Sequence, residues 1–411
     1  MSAKKDFYAP RSRRAKSPPN MRVLIATVTA GGGHLAAAAA LEESWKKAHP
    51  EDVVECVDVL QFAAKLQRKL YTETYVKIIQ HVPELYAMVF KKTDNQEKVR
   101  KISRFRRRFA RSTNTGFVRY LKSFKPDVVL CTHYLPLEIL CHPKDAAKAG
   151  SPLTVCIVTD FEAHAFWLEP PADFYCVAAN ETLESLVARG TSRENIAVTG
   201  IPIASKFSTP VDALEVRKRF GLRDDLATLL VLGGGFGLGP VADILKQLDK
   251  TEGQFQTVVV AGRNEELRRE LAVQDYVHPA RILGFCNNMH ELMTVADLII
   301  TKPGGLTTSE ALALGRPLFI LNPIPGQETA NSDFLLERGA AAKVNRVADL
   351  PFRLQQLIGS KKLEVMARAA KSLGHPDAAK RICEQVLRRF QNRPIRESQT
   401  ILYPDKKPTS G

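Results

Sequence analysis

The chain has 411 residues, of which 45 % are hydrophobic, and a formal net charge of +15 at pH 7. This length and apolar content are typical of two globular domains, each with its own buried core. Since no apolar run reaches about eighteen residues and the basic residues 1–20 lack an apolar stretch, we expect neither a transmembrane helix nor a secretory signal.

The first half of the chain has the pattern of a parallel α/β domain. The apolar run Arg22–Thr27 predicts a buried strand, and Gly31-Gly32-Gly33 and an alanine-rich helix from about residue 34 to 48 follow it. A strand, a glycine-rich turn and a helix in this order open a dinucleotide-type fold. Further strands are predicted at 127–130, 153–159, 175–178 and 196–199, within a first domain of residues 21–204.

A basic helical insertion, at about residues 60–124, interrupts this domain. Residues 91–122 contain twelve Lys or Arg and only two acidic residues, Asp94 and Glu97. The insertion is interpreted either as a solvated helix face or as a docking surface for phosphates. Phe105 and Phe109, four residues apart among the arginines, favour an anionic membrane over nucleic acid.

The same pattern begins again at residues 228–232, followed by glycines at 233–237. Strands are predicted at 257–261, 281–284, 298–301 and 318–321, within a second domain of residues 205–372. A helix at 373–393 is predicted to pack back on the first domain, and the tails 1–20 and 394–411 to be disordered. The predicted fold class is α/β, with two doubly wound, Rossmann-like domains. Ligands bind at the carboxyl ends of such strands, so both glycine turns should face one cleft.

His34 is the candidate catalytic residue of the first turn. Gly32 and Gly33 allow close approach of a ligand, and the helix start offers free N–H groups and a positive dipole end. A neutral imidazole at this point can accept the proton of an attacking hydroxyl. The alternative is a histidine that caps the helix and has no chemical role.

Residues 301–310 are the candidate phosphate site of the second domain. Gly304 and Gly305 free backbone N–H groups for a diphosphate at the start of a helix. Glu310, one turn later, can accept two hydrogen bonds from a ribose diol, or it is an ordinary acidic residue near a helix start. The glycines at 233–237 are a weaker phosphate signal, because the Walker A ending is absent.

Two other loops also follow predicted strands. Gln327 and Glu328 suit the hydroxyls of a sugar, or they belong to an ordinary turn. In the loop 159–167, Asp160 could orient an imidazole, and His164 and Trp167 could contact an acceptor. Trp167 could equally be a core residue.

Six short motifs, in this order, resemble the monogalactosyldiacylglycerol synthases and the bacterial processive diacylglycerol glucosyltransferases, which are relatives of the enzyme that glycosylates lipid I. The motifs are Gly31-Gly32-Gly33-His34, Thr159-Asp160 with His164 and Trp167, Gly200-Ile201-Pro202-Ile203, Lys302-Pro303-Gly304-Gly305, Glu310, and Pro325-Gly326-Gln327-Glu328. The resemblance spans about residues 21–385. It implies a GT-B architecture that transfers a hexose, with inversion, from a UDP-sugar to 1,2-diacylglycerol.

The resemblance also implies roles for residues. His34 would be the general base or a diphosphate contact, Glu310 would bind the ribose, and Gln327 and Glu328 would bind the transferred hexose. The other UDP-sugar contacts would be Gly32, Gly33, Gly234, Gly235, Phe236, Gly237, Arg263, Phe285, Cys286, Lys302, Gly304, Gly305, Leu306 and Thr307. The acceptor would lie on the first domain, beside His164 and Trp167.

No cofactor and no metal are expected, since UDP-galactose or UDP-glucose is the donor substrate and no Asp-x-Asp motif occurs. The expected partners are diacylglycerol and, through residues 91–122, the anionic surface of a membrane on its cytoplasmic side; no nucleic acid is expected. The motifs leave the choice between galactose and glucose open. The alternatives are N-acetylglucosaminyl transfer to a polyprenyl-linked acceptor, a UDP-N-acetylglucosamine 2-epimerase, and a non-catalytic UDP-sugar-binding membrane protein.

Overall fold

The computed structural model describes residues 20–29, 32–63, 83–140, 152–168, 171–234, 240–321, 323–324 and 326–393. The predicted disordered tails, except Asn20, lie outside these residues. So do residues 64–82 of the predicted helical insertion.

The first sheet has six parallel strands, which are β1 (Arg22–Thr27), β2 (Val53–Asp58), β3 (Val128–Cys131), β4 (Leu153–Ile157), β5 (Phe174–Val177) and β6 (Ile196–Val198). Their order across the sheet is β2-β1-β3-β4-β5-β6. The accompanying helices are α1 (Gly32–Ala48), α2 (Pro83–Thr93), α3 (Gln96–Thr113), α4 (Thr115–Phe124), α5 (Tyr134–Leu140) and α6 (Asn180–Ala188).

The second sheet repeats this plan with β7 (Ala227–Leu232), β8 (Phe255–Val260), β9 (Ala280–Leu283), β10 (Leu298–Thr301), β11 (Leu318–Leu321) and β12 (Ala341–Val344). The strand order is β12-β11-β10-β7-β8-β9. Its helices are α7 (Ala213–Phe220), α8 (Val241–Leu248), α9 (Glu265–Ala272), α10 (Met289–Val295), α11 (Gly305–Ala313), α12 (Gln327–Glu337), α13 (Leu350–Gln355) and α14 (Lys361–Leu373). The predicted fold class, α/β with two doubly wound domains, is confirmed.

The central strands are buried on both faces, which explains their continuous apolar sequences. Every residue of β3, β4, β5, β10 and β11 is buried. A parallel sheet covered by helices on both sides produces this pattern. Among the strands, β2 and β12 had no counterpart in the sequence predictions. Both lie at sheet edges, and in β2 buried positions are mixed with exposed ones, so neither gives a long apolar run.

The last described helix, α15 (Ala378–Gln391), returns to the first domain. Ile382, Cys383 and Val386 lie in one buried cluster with Leu41 and Trp45 of α1. The chain therefore crosses between the domains twice, and this second crossing ties the far end of the chain to the helix that begins at the candidate site.

Candidate active site

The first turns of α1 and α11 face each other across the cleft between the two sheets. A Cβ atom built on Gly33 would lie 3.8 Å from Cβ of Leu306. Both helices start at the carboxyl end of a central strand, β1 or β10. The structure therefore brings the two glycine motifs together at one site, as parallel α/β topology dictates.

The imidazole of His34 is held by the ends of β3 and β4. Its Nδ1 atom lies 2.8 Å from the carbonyl oxygen of Thr132 and 3.0 Å from Oγ1 of Thr159. Because a carbonyl oxygen can only accept, Nδ1 carries the hydrogen and donates it to Thr132. In the neutral ring, Nε2 is then the atom with a free lone pair.

Burial keeps His34 uncharged. It lowers the pKa of the ring to about 4, against the smaller opposing effect of the hydrogen bond with Thr132. The imidazole is consequently neutral at pH 7 and can accept a proton at Nε2.

Two aromatic residues border this imidazole. The ring of His133 meets it edge to face, with centroids 4.9 Å apart, and the Trp167 ring lies 6.4 Å away. Trp167 is 4 % exposed and packs in the first domain's core, which agrees with the second of the two interpretations of this residue given above. A contact of Trp167 with an acceptor remains a prediction.

His133 was missed by the sequence predictions. Its Nδ1 atom accepts a hydrogen bond of 3.0 Å from the backbone N–H of Leu135 at the start of α5, and burial holds its pKa well below the usual range. It lies just beyond the end of β3, after Thr132, so the same reasoning that selected Asp160 beyond the end of β4 would have found it.

His164 does not present a free imidazole to an acceptor. Its Nδ1 accepts from the backbone N–H of Phe166 at 3.1 Å, and its Nε2 lies 3.1 Å from the carbonyl oxygen of Phe90. Both ring nitrogens are therefore used within the protein, and a contact of the His164 ring with an acceptor remains a prediction. The ring fastens the end of α2 to the loop 164–167.

Asp160 is bonded across the cleft rather than to an imidazole. Its carboxylate accepts from Nε2 of Gln327 at 2.5 Å and lies 3.4 Å from Nδ2 of Asn331, both in the second domain. Burial raises the pKa of Asp160 to about 6, although these two hydrogen bonds oppose the shift. The expectation that Asp160 orients an imidazole is therefore corrected, because Thr132 and Thr159 hold His34.

Asn331 is a second residue that the sequence predictions missed. It is fully buried, accepts from the backbone N–H of Phe161 at 3.0 Å, and donates to the carbonyl oxygen of Pro303 at 3.0 Å. Next to it, the rings of Phe161 and Phe334 stack with centroids 4.4 Å apart. It lies one helical turn after Gln327, which is the available sequence signal. Asn331 thus joins the two domains.

Gly305 is required for close approach of the domains. A Cβ atom at this position would lie 2.1 Å from the carbonyl oxygen of Thr159 and 3.2 Å from Oδ1 of Asp160. Only a glycine allows the start of α11 to lie against the first domain at this distance. Gly304 has open space where a Cβ would stand, so its backbone is accessible to a ligand.

The two acidic residues on the second domain's wall, Glu310 and Glu328, are half-buried. Burial raises the pKa of Glu310 to about 8, although the charge of Lys206 opposes the shift. Burial also raises the pKa of Glu328, whose Oε2 accepts from the backbone N–H of Ile324 at 2.7 Å. Leu306 and Thr307, in the first turn of α11, and Lys302, just before it, are half-buried.

Arg263, Phe285 and Cys286, which are predicted UDP-sugar contacts, also come together. The guanidinium of Arg263 lies 5.2 Å from the centre of the Phe285 ring, and that ring is 58 % exposed. Cys286 is half-buried beside it, and Gly234 lies in the turn after β7 with φ of 78°. The predicted contacts Gly235, Phe236 and Gly237 lie outside the described residues.

In the described ranges, no three His, Cys, Asp or Glu side chains come together as ligands for a metal ion. Over the same ranges, none of the helices has both the length and the apolar sequence needed to span a membrane.

Two family models match the chain. Residues 34–203 match the monogalactosyldiacylglycerol (MGDG) synthase model, and residues 228–382 match the glycosyltransferase family 28 C-terminal domain.

Curated relatives match over nearly the whole chain. A processive diacylglycerol beta-glucosyltransferase of Bacillus pumilus is 30 % identical over 372 residues, which are 90 % of this chain and 95 % of the relative. An enzyme of the same name from Bacillus cereus is 31 % identical over 375 residues, 90 % of this chain and 94 % of the relative.

Solved structures with low sequence identity share the fold. MurG of Acinetobacter baumannii has a TM-score of 0.59 at 16 % identity and matches 90 % of this chain and 100 % of its own. MnaA of S. aureus, solved with UDP, has a TM-score of 0.60 at 13 % identity and matches 90 % of this chain and 97 % of its own.

Proposed function

The chain belongs to the family of the monogalactosyldiacylglycerol synthases and processive diacylglycerol beta-glucosyltransferases, and on that premise we propose that it transfers a hexose from a UDP-sugar to 1,2-diacylglycerol. The product is a β-glycosyl diacylglycerol. The observation that carries this proposal is the position of a neutral imidazole, His34, opposite the first turn of α11 in a chain with this family relationship.

In the proposed reaction, the free hydroxyl of diacylglycerol attacks C1 of the hexose from the face opposite UDP. The new C1–O bond forms as the bond from C1 to the diphosphate oxygen breaks, which inverts C1. Nε2 of His34 takes the hydroxyl proton, while the hydrogen bond from Nδ1 to Thr132 holds the ring and stabilises the imidazolium that results. UDP leaves with the electron pair of the broken bond.

The charge of the UDP leaving group is stabilised by the second domain. The first turn of α11 offers the backbone N–H groups of Gly305, Leu306 and Thr307 and the positive end of the helix dipole. Lys302 adds a positive charge just before the helix. We propose that these groups stabilise the leaving diphosphate without a divalent metal.

Glu310 binds the ribose diol in this proposal, and Gln327 and Glu328 bind the hydroxyls of the hexose. The amide of Gln327 donates a hydrogen bond to the carboxylate of Asp160. A bound hexose therefore either joins this hydrogen-bonded pair or replaces one of its members.

The basic insertion provides the membrane-docking surface in this proposal. Phe105 and Phe109 on α3 are 74 % and 58 % exposed, and their rings stack with centroids 6.4 Å apart. Arg106 points inward, where it pairs with buried Glu138 and lies 4.0 Å over the ring of Phe166. This arrangement leaves an exposed aromatic pair on a basic helix that is anchored to the loop 164–167, and such a pair suits insertion at the surface of a membrane.

A donor screen tests the proposal. The purified protein is incubated with UDP-glucose, UDP-galactose or UDP-N-acetylglucosamine and vesicles that contain diacylglycerol and an anionic phospholipid. We expect a glycosyl diacylglycerol from UDP-glucose or UDP-galactose, and the screen identifies which. If folded protein makes no glycolipid from either donor, or if only UDP-N-acetylglucosamine with a polyprenyl-linked acceptor gives a product, the proposal is wrong.

A further inference from the structure

Helix α2 of the first domain contacts the loop of the second domain that is proposed to bind the hexose. Gly326 has φ of 95°, and a Cβ atom there would lie 2.6 Å from Cδ1 of Phe90 in α2. The Phe90 ring therefore lies directly against the backbone of Gly326. This contact spans the cleft.

The first domain fixes the position of Phe90 through several contacts. The ring of Phe90 lies 4.4 Å from the ring of His164, and the Phe90 carbonyl oxygen lies 3.1 Å from His164 Nε2. Asp94, just after α2, accepts from the backbone N–H of Ala165 at 2.9 Å and pairs with Arg189 at 2.8 Å. The first domain therefore holds the Phe90 ring in contact with Gly326 of the second domain.

Gly326 leads directly into Gln327 and Glu328, which begin α12. Glu328 closes this turn by accepting from the backbone N–H of Ile324, and Gln327 bonds Asp160. Since the side chains of residues 327 and 328 follow the backbone of Gly326, displacement of that backbone moves both of them.

We propose that Phe90 is a positioning residue for the donor hexose: its ring fixes Gly326 and thereby holds Gln327 and Glu328 in place for the hexose hydroxyls. This inference rests on the proposed function of Gln327 and Glu328. The contacts described for Phe90 are with Gly326 and His164, whereas the groups proposed to bind UDP lie at Phe285, Glu310 and the start of α11. Its effect should therefore appear with UDP-hexose and not with UDP.

The test measures KM for UDP-hexose and Kd for UDP in the full-length Phe90→Ala variant, with diacylglycerol vesicles in saturating amount. We expect KM for UDP-hexose to rise by about tenfold or more, because loss of a backbone support displaces the contacting groups. The Kd for UDP should stay within about twofold of the wild-type value, since the UDP contacts are separate. Phe90→Leu, which keeps an apolar side chain against Gly326, should recover much of the loss.

Phe352→Ala is the matched control, since it removes an equally large ring that is 64 % exposed on α13, and it should leave both constants unchanged. If Phe90→Ala leaves KM for UDP-hexose unchanged, the inference is wrong. It is also wrong if KM and the UDP Kd rise together, which indicates a general structural role. If Phe90→Ala does not fold, Phe90→Val, whose shorter side chain withdraws from Gly326, decides by the same two constants. Failure of the wild-type protein to use UDP-hexose contradicts the proposed function instead.

Discussion

Replacement of Gly305 by alanine tests the close approach of the two domains. The added Cβ atom would lie 2.1 Å from the carbonyl oxygen of Thr159. An ordinary carbon–oxygen contact is about 3.3 Å, so the domains must separate by roughly 1 Å at this point. The hydrogen bond of 3.0 Å between Phe161 and Asn331 and that of 2.5 Å between Gln327 and Asp160 then exceed hydrogen-bonding range or weaken.

Loss of these two bonds, one of them to a carboxylate, destabilises the closed arrangement by about 2–4 kcal/mol. Each 1.4 kcal/mol is about a factor of ten, so we expect kcat/KM for hexose transfer to fall by about two orders of magnitude in Gly305→Ala. Initial rates with UDP-hexose and diacylglycerol vesicles measure this. Thermal unfolding should show a folded protein, because the clash lies between domains and not within one core.

Gly304→Ala is the comparator, since it adds the same methyl group to the neighbouring residue. Gly304 has φ of −63° and ψ of 142°, which alanine adopts freely, and no atom lies within 4 Å of its added Cβ. We expect a clearly smaller loss of kcat/KM than in Gly305→Ala. Wild-type kcat/KM in Gly305→Ala, or equal losses in the two variants, would refute the argument that contact between the domains is the cause.

Three further predictions concern charge and docking. Burial raises the pKa of Glu310 to about 8, and ribose binding favours its ionised form, so UDP-hexose should bind about tenfold more weakly at pH 7 than at pH 9. Calorimetric titration between these values checks this, and Glu310→Gln should remove the dependence. Folding raises the pKa of Asp160 from 3.8 to about 6. Ionisation of this carboxyl therefore lowers the free energy of unfolding as pH rises from 3.8 to 6, and the loss reaches about 2–3 kcal/mol at pH 7. Asp160→Asn should therefore raise the Tm at pH 7 and lose this advantage below pH 4, and an unchanged Tm at pH 7 would contradict it. Replacement of both Phe105 and Phe109 by alanine should lower the affinity for anionic vesicles, measured by sedimentation, by about tenfold or more. The control Phe352→Ala should keep the wild-type affinity. Equal affinities of the two variants would rule out the aromatic pair as the docking element.

The fold could be predicted because the central strands are buried on both faces and their sequences are therefore continuously apolar. β4 and β10 are buried on both faces and appear as short apolar runs, each followed by a turn and a helix. Edge strands such as β2 depend on pairing with a neighbour, which no local pattern encodes.

The candidate site was predicted in part. The sequence placed His34, Asp160 and Gly305 in one cleft because each follows a predicted parallel strand, and the structure brings them together there. The hydrogen-bond partners could not be predicted, because they come from distant parts of the chain. His34 is held by the backbone carbonyl of Thr132, a group that every residue type offers. Asp160 meets Gln327 only because the two domains close on each other.

The role of His34 is tested most directly by comparing the wild-type protein with His34→Ala on diacylglycerol vesicles, using the donor that the screen identifies. Turnover of hexose onto the lipid and the Kd for UDP are measured together. Loss of a general base should reduce kcat by about 10²- to 10⁴-fold, and UDP, held by the second domain, should bind nearly as well as before. If His34→Ala transfers hexose at the wild-type rate, the imidazole is not the base and the account of the cleft is wrong.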